Sequence, residues 1–372
     1  MTVERGPLPT RRGLALGAVA LALPRVARAQ GVRATDLRGR EIVLDRPARR
    51  VVLAQGRHLA VLNLLLPDPV SVVAGWAGEM RTGAVSETAA YLRRFPALGD
   101  LPLVGRGPQD VSAEAVVALR PDLVLCSRNV ATHADATLFR ALDAARIPHA
   151  VIDFFVDPLR DTAPSLALLG ALLGCAPQAE ALTQFISRRV ARVRQAMEGL
   201  TARPKVLMHA HAGGTPCCNS PGRGVFDGFI TLAGGHNIGA DRIPGSTGAL
   251  SYEYVLSSDP AVYVATGGSF NGRGGVLLGA DITPEQARAS LAEVIQRERL
   301  NLLGAVKAGR AHALWHGSND SPAHILAIEL LAKWIHPDRA RDIDPDASLR
   351  ELNTRFAAVP MEGAYWIDLR AG

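Results

Sequence analysis

Residues 176–199, APQAEALTQFISRRVARVRQAMEG, read as one uninterrupted helix near the middle of the chain. Pro177 falls in the first turn, where its missing N–H costs nothing. Leu182, Ile186, Val190, Val193 and Met197 recur at steps of three and four, so they share one face. Gly199 and Pro204 close it. At about 1.5 Å per residue the helix spans about 34 Å, around the width of a small domain. A helix of this length is either an ordinary amphipathic element packed on one sheet or a rigid spine between two lobes.

Both flanks repeat one theme. Before the helix, Asp36–Leu44 alternates around a glycine turn as an edge hairpin. Short apolar strands are expected at 50–54, 70–74, 103–104, 122–126 and 150–154, with the second ending at Gly75-Trp76. Helices are expected between them at 59–66, 87–95, 112–119 and 138–145, and a further one at 159–173 leads to the spine. After it, strands at 205–209, 261–265 and 311–315 alternate with helices at 226–233, 252–256, 284–296, 324–335 and 349–356. Such alternation predicts mainly parallel sheets covered on both faces. A chain of 372 residues has room for two such units. It is 48% hydrophobic and 20% charged, ordinary for a soluble globular protein with a sizeable core. The net charge of +6 is scattered, with no basic run interleaved with aromatics, so nucleic acid is not an expected partner.

The N-terminus reads as an export signal of the twin-arginine kind. Arg11-Arg12 precedes an apolar run ending at Leu23, and Ala27-Arg28-Ala29 has the small-residue spacing of a cleavage site. That run of about 11 residues falls short of the roughly 20 that span a bilayer. We therefore expect residues 1–29 to be removed and the rest to be a soluble periplasmic protein. Its four cysteines, Cys126, Cys175, Cys217 and Cys218, then meet an oxidising compartment. Cys126 and Cys175 read as buried small apolar residues.

One internal repeat crosses the spine. Ser112-Ala113-Glu114 is followed by Pro121, seven residues after the Glu, and then a strand; Ser251-Tyr252-Glu253 is followed by Pro260 at the same offset and then a strand. Each Ser caps a helix, and an acidic residue in the first turn suits the helix dipole. The matched offsets favour a paired role for Glu114 and Glu253 beyond capping.

Taken in order, these segments resemble a known family. Asp36-Leu37-Arg38-Gly39-Arg40 with Arg50-Val51-Val52, Glu114 through Pro121-Asp122-Leu123-Val124, Leu232-Ala233-Gly234-Gly235-His236-Asn237, Ser251-x-Glu253, Val306-Lys307-Ala308-Gly309-Arg310 and Ala332-Lys333-Trp334-Ile335-His336-Pro337 are similar to class III periplasmic substrate-binding proteins of ABC importers for ferric siderophores, haem and cobalamin. The resemblance covers about residues 34 to 357. It implies an α/β fold of two lobes with mainly parallel central sheets, joined by a single long α-helix, with ligand held between the lobes. The expected organisation is an N-terminal lobe at 30–156, a helical connector at 157–203 with the spine at 176–199, and a C-terminal lobe at 204–372. It also implies that Glu114 and Glu253 dock onto arginines of the membrane permease, where charge fixes orientation more than affinity.

Ligands of open α/β sheets bind beyond the carboxyl ends of the strands. That rule selects Arg57, Trp76, Arg106, Arg128, His211, Asn219, Arg223, Ser269 and His316 as candidate ligand contacts. Arginine forks suit carboxylate or catecholate oxygens, and Trp supplies a flat wall. His209, His211, Cys217 and Cys218 invite a metal reading, but adjacent cysteines also form a disulfide, and no protein metal ligand is expected. The chain lacks a Gly-x-Ser-x-Gly elbow, a phosphate loop and a His-Glu-x-x-His motif, so no enzyme is expected. An exported His/Cys metal-binding protein or redox enzyme is the competing class. The expected function is a monomeric receptor without cofactor that delivers a ferric siderophore to an inner-membrane permease and its ATPase, with haem and cobalamin as the alternatives. The four arginines of the spine, Arg188, Arg189, Arg192 and Arg194, are expected on its solvated face.

Overall fold

The structure, a computed structural model, describes residues 1–3, 6, 31–133, 136–215, 217–269 and 275–370. The arginine pair, the apolar run and the cleavage motif of the expected export signal lie outside the described residues.

Five strands of the first lobe pair in the order Leu103–Gly105, Val73–Ala77, Val51–Leu53, Leu123–Ser127, His149–Ile152. Every pairing is parallel. Their continuous apolar runs follow from burial on both faces. The side-chain period of two sends Val51, Leu53, Leu123 and Leu125 to one core, and Val52, Val124 and Cys126 to another that includes Leu138 and Leu142. Five strands of the second lobe run in the order His236–Asn237, Lys205–His209, Val262–Gly267, Ala311–Trp315, Trp366–Asp368. The first four are parallel and the last is antiparallel. The fold is thus α/β with two mainly parallel sheets, as expected.

The helix Ala176–Ala196 packs on Pro158–Leu173 and His58–Leu65 before it and on His324–Ile335 after it. It buries Ala179, Leu182, Phe185, Ile186 and Val193. Its contact with Pro158–Leu173 needs Gly170, where a Cβ would come 2.7 Å from Ala179 Cβ. One apolar cluster runs from Leu53 and Leu59 through Leu182 and Phe185 to Met208, Ile325 and Ile328, so a single core crosses the spine.

Three expectations are corrected. Arg189 is not on a solvated face. Its side chain is 14% exposed, lies 3.7 Å over the Phe185 ring, donates to Ser348 Oγ at 2.8 Å and Glu351 Oε2 at 2.6 Å, and faces Glu329 Oε1 at 3.8 Å. Arg188, Arg192 and Arg194 are exposed, as expected. The second strand runs Val73–Ala77 rather than 70–74. Asp68 Oδ1 accepts the N–H groups of Val70 and Ser71, which commits that segment to a turn before the strand begins. The edge strand Trp366–Asp368, only three residues long, was not expected from the sequence.

The repeat is a repeat of geometry. Ser112 Oγ accepts from Ala115 N–H, and Ser251 Oγ accepts from Tyr254 N–H, each opening a short helix. Arg120 (φ 46°) and Asp259 (φ 44°) then turn the chain left-handed just before Pro121 and Pro260. Glu114 and Glu253 both stand exposed in a first turn.

Candidate ligand-binding cleft

The carboxyl ends of adjacent strands converge on a cavity of about 290 Å³ between the lobes. From the first lobe, Arg57 follows Val51–Leu53 and Glu79 follows Val73–Ala77. From the second, His211 follows Lys205–His209 and His316 follows Ala311–Trp315. The intervening strand supplies Thr266, whose Oγ1 accepts His211 N–H at 3.0 Å and shares a 2.8 Å hydrogen bond with His316 Nδ1. The two imidazoles lie 3.7 Å apart. Tyr91, Trp315, Met361 and Tyr365 add apolar and aromatic wall.

Arg57 spans the cleft, with Nη1 donating to Asp320 Oδ2 at 2.7 Å. Its own N–H donates to Glu79 Oε1 at 3.2 Å. Burial lifts the Glu79 carboxyl to about 7 against the opposing pull of backbone N–H groups and Arg57. Burial likewise raises Asp320, with Arg57 opposing. Burial, then His211 and Arg57, hold His316 well below its ordinary value, so it stays neutral. Among the described residues the lining thus offers one fixed cation, already matched by a carboxylate, plus the carboxyls of Glu79 and Glu87.

The lobes also meet beside the cavity. Ser86 N–H donates to Ser269 Oγ at 3.0 Å, and the two hydroxyls are 2.8 Å apart. Ala280 N–H donates to Glu87 Oε1 at 3.1 Å. Arg93 pairs with Asp281 at 2.8 Å.

Of the residues expected to touch ligand, Arg57, His211 and His316 line the cavity. The others lie elsewhere. Trp76 is 1% exposed within its strand, because that strand starts three residues later than expected. Arg106 is 96% exposed and pairs with Asp110, while Arg128 pairs with Asp161 at 2.7 Å. Asn219 accepts from Thr247 Oγ1 in a small antiparallel pair, and Arg223 is exposed. Ser269 joins the lobes rather than the lining. Sequence reasoning missed Glu79 and Asp320. The later strand end moves the post-strand position from Trp76 to Glu79, and Asp320 lies four residues past His316, at the end of the 3-10 turn His316–Asp320.

Behind the cavity wall, Cys217 and Cys218 are joined as a disulfide. Burial pushes the Cys126 thiol up to about 12 and the half-buried Cys175 thiol up to about 11, so neither is reactive.

Two α/β lobes, a helical spine and a cleft at the strand tips define a bilobal binding protein. The sequence model of the periplasmic binding protein family matches residues 64–314, and the chain belongs to that family. A cobalamin-binding protein of Halobacterium salinarum is 34% identical over 187 residues, 48% of this chain and 46% of that protein. The chain thus spans about half the length of the curated relatives it matches. The TroA-like periplasmic binding protein FepB from Veillonella parvula superposes with a TM-score of 0.84 at 25% identity, covering 91% of this chain and all of that one. A periplasmic heme-binding protein from Pseudomonas aeruginosa shares the fold at a TM-score of 0.54 and 21% identity, covering 78% of this chain and 94% of that one. Among the described residues no helix is long and apolar enough to cross a membrane.

Proposed function

We propose that this chain is the exported receptor of an ABC importer, performs no chemistry, and carries a ferric siderophore of low net charge in the cleft between its lobes. The observation that carries this reading is the charge of the lining. Arg57 is its one fixed cation among the described residues, and Asp320 already matches it. With only the burial-raised carboxyls of Glu79 and Glu87 beside them, the described residues of the lining offer no free fixed cation to a strongly anionic catecholate chelate, whereas an uncharged hydroxamate chelate needs none. A second reading, a corrinoid, is favoured by the Halobacterium relative named for binding cobalamin. Glu114 and Glu253 dock the loaded receptor onto the permease.

The test is fluorescence titration of the protein lacking residues 1–29 with ferric hydroxamates, ferric catecholates, haem and cobalamin, read through Trp315 in the lining. Saturable quenching by an uncharged ferric chelate, with none by the catecholates, is the expected result. Quenching by cobalamin alone selects the second reading, and preference for a trianionic catecholate overturns the charge argument.

A further inference from the structure

Among the described residues, His209, Cys217 and Cys218 form a group of three metal-capable side chains whose ligand atoms all lie within 4.8 Å of one another. The group sits outside the cavity lining. His209 is fully buried at the end of its strand. Its Nδ1 lies 3.1 Å from the Tyr263 hydroxyl, while Nε2 has no hydrogen-bond partner and stands 3.7 Å from Glu298 Oε2, itself buried and without a hydrogen bond. A neutral imidazole keeps the lone pair of one ring nitrogen whichever nitrogen carries the proton. The loop holding the cysteines is fixed over this strand end. Ala210 N–H donates to Asn219 O at 2.7 Å, Thr215 Oγ1 donates to Ala210 O at 3.3 Å, and Leu250 N–H donates to Cys218 O at 3.0 Å. Cys218 is fully buried, whereas Cys217 keeps partial exposure and so gives access from solvent.

We propose that these three residues form a thiophilic metal site that the disulfide closes: with the bond intact the sulfurs are spent on each other, and with it reduced both thiolates and a ring nitrogen of His209 hold one zinc-class or copper(I)-class ion. The reductant is a dithiol. Each cysteine sulfur takes up one electron and one proton as the dithiol closes to its own disulfide, and the ion then displaces the two thiol protons to solvent. Two thiolates and an imidazole make a donor set suited to such ions, with the fourth position left to solvent or an added ligand. The site lies two residues from His211, and its ligands remain outside the cavity lining.

Co²⁺ is the probe, because thiolate ligation gives it a charge-transfer absorption that nitrogen and oxygen donors do not. The protein lacking residues 1–29 is reduced with a dithiol, desalted without oxygen and titrated. One equivalent of Co²⁺ with the charge-transfer band is expected, displaced by Zn²⁺, and the oxidised protein is expected to show neither. Cys217→Ser, at a partly exposed position that tolerates the change, should lose the band and leave chelate titration unaltered. His209→Gln should weaken Co²⁺ binding, with its circular dichroism compared to the parent. A reduced parent without the band, an oxidised parent with it, or an undiminished band in Cys217→Ser overturns the site. An undiminished affinity in a folded His209→Gln removes His209 from it. None of these outcomes depends on which chelate the cleft carries.

Discussion

Glu79 lies under the loop that carries Arg57, with Oε1 accepting the Arg57 N–H and Oε2 buried without a hydrogen bond. Because its folded value, about 7, exceeds the ordinary 4.5, the folded state holds more protons than the unfolded state between those limits. Stability therefore falls as pH rises from about 4.5 to about 7 and is level above, by up to about 3 kcal/mol from this group. Glu79→Gln removes that loss. Urea denaturation from pH 4.5 to pH 8 should show the variant gaining on the parent as pH rises, and parallel curves would refute this account. Arg57 carries the second prediction at this scale. Arg57→Ala removes a charge-assisted donor from the cleft and should weaken chelate binding about tenfold or more. Arg106→Ala, at a solvent-facing position, should leave affinity unchanged. Isothermal titration of both folded variants checks the contrast.

At the scale of elements, the spine and the two short Ser-capped helices make separate predictions. Arg189 is enclosed between Phe185, Ser348, Glu351 and the fully buried Glu329. Removing it takes the Ser348 and Glu351 hydrogen bonds and the nearest cation of Glu329 together, at about 1.5–3 kcal/mol. Arg188, Arg192 and Arg194 are exposed, and alanine there should cost less than about 0.5 kcal/mol. Denaturation midpoints of the four alanine variants separate these cases. Glu114 and Glu253 stand exposed on matched helices in separate lobes. Reversing both charges should abolish uptake by cells carrying the cognate permease while ligand affinity survives. An equal fall in affinity would remove the docking role. The capping pattern and offsets of these helices were legible in the sequence, because both are local. The environment of Arg189 was not, since its partners lie about 140 to 160 residues further along and only the packing of the last helices brings them in.

At the scale of the molecule, one apolar cluster crosses the spine from the first sheet to the second. Asn63 of the first lobe reinforces it by donating to Val359 O at 3.0 Å and accepting Val359 N–H at 2.7 Å. A close-packed core with two-way hydrogen bonds across it does not shear freely. The contacts at the mouth are of another kind, polar and few: the Ser86–Ser269 pair, Ala280 N–H on the Glu87 carboxyl, the Arg57–Asp320 bridge and the exposed Arg93–Asp281 pair. Ligand entry should therefore open the mouth about a spine that stays fixed, with only a small rotation between free and bound forms. Crystal structures of both forms check this, and a rotation of tens of degrees would contradict it.

The residues that follow strand ends were selected from the sequence by the strand-tip rule, and this found Arg57, His211 and His316. At Trp76 it missed because Asp68 holds Val70, Ser71 and Val72 in a turn, which puts Trp76 inside the sheet and Glu79 at its tip, while Arg106, Arg128 and Ser269 are engaged by Asp110, Asp161 and Ser86 away from the lining. Periodicity, capping and turn chemistry are local, so the chain by itself determined the alternation of elements, the long helix and the paired Ser-x-Glu starts. Which arginines face solvent, which carboxyls meet Arg57 across the cleft, and that His209 lies against Cys217 and Cys218 were decided only when distant segments packed. Burial and pairing depend on neighbours that the local sequence does not contain.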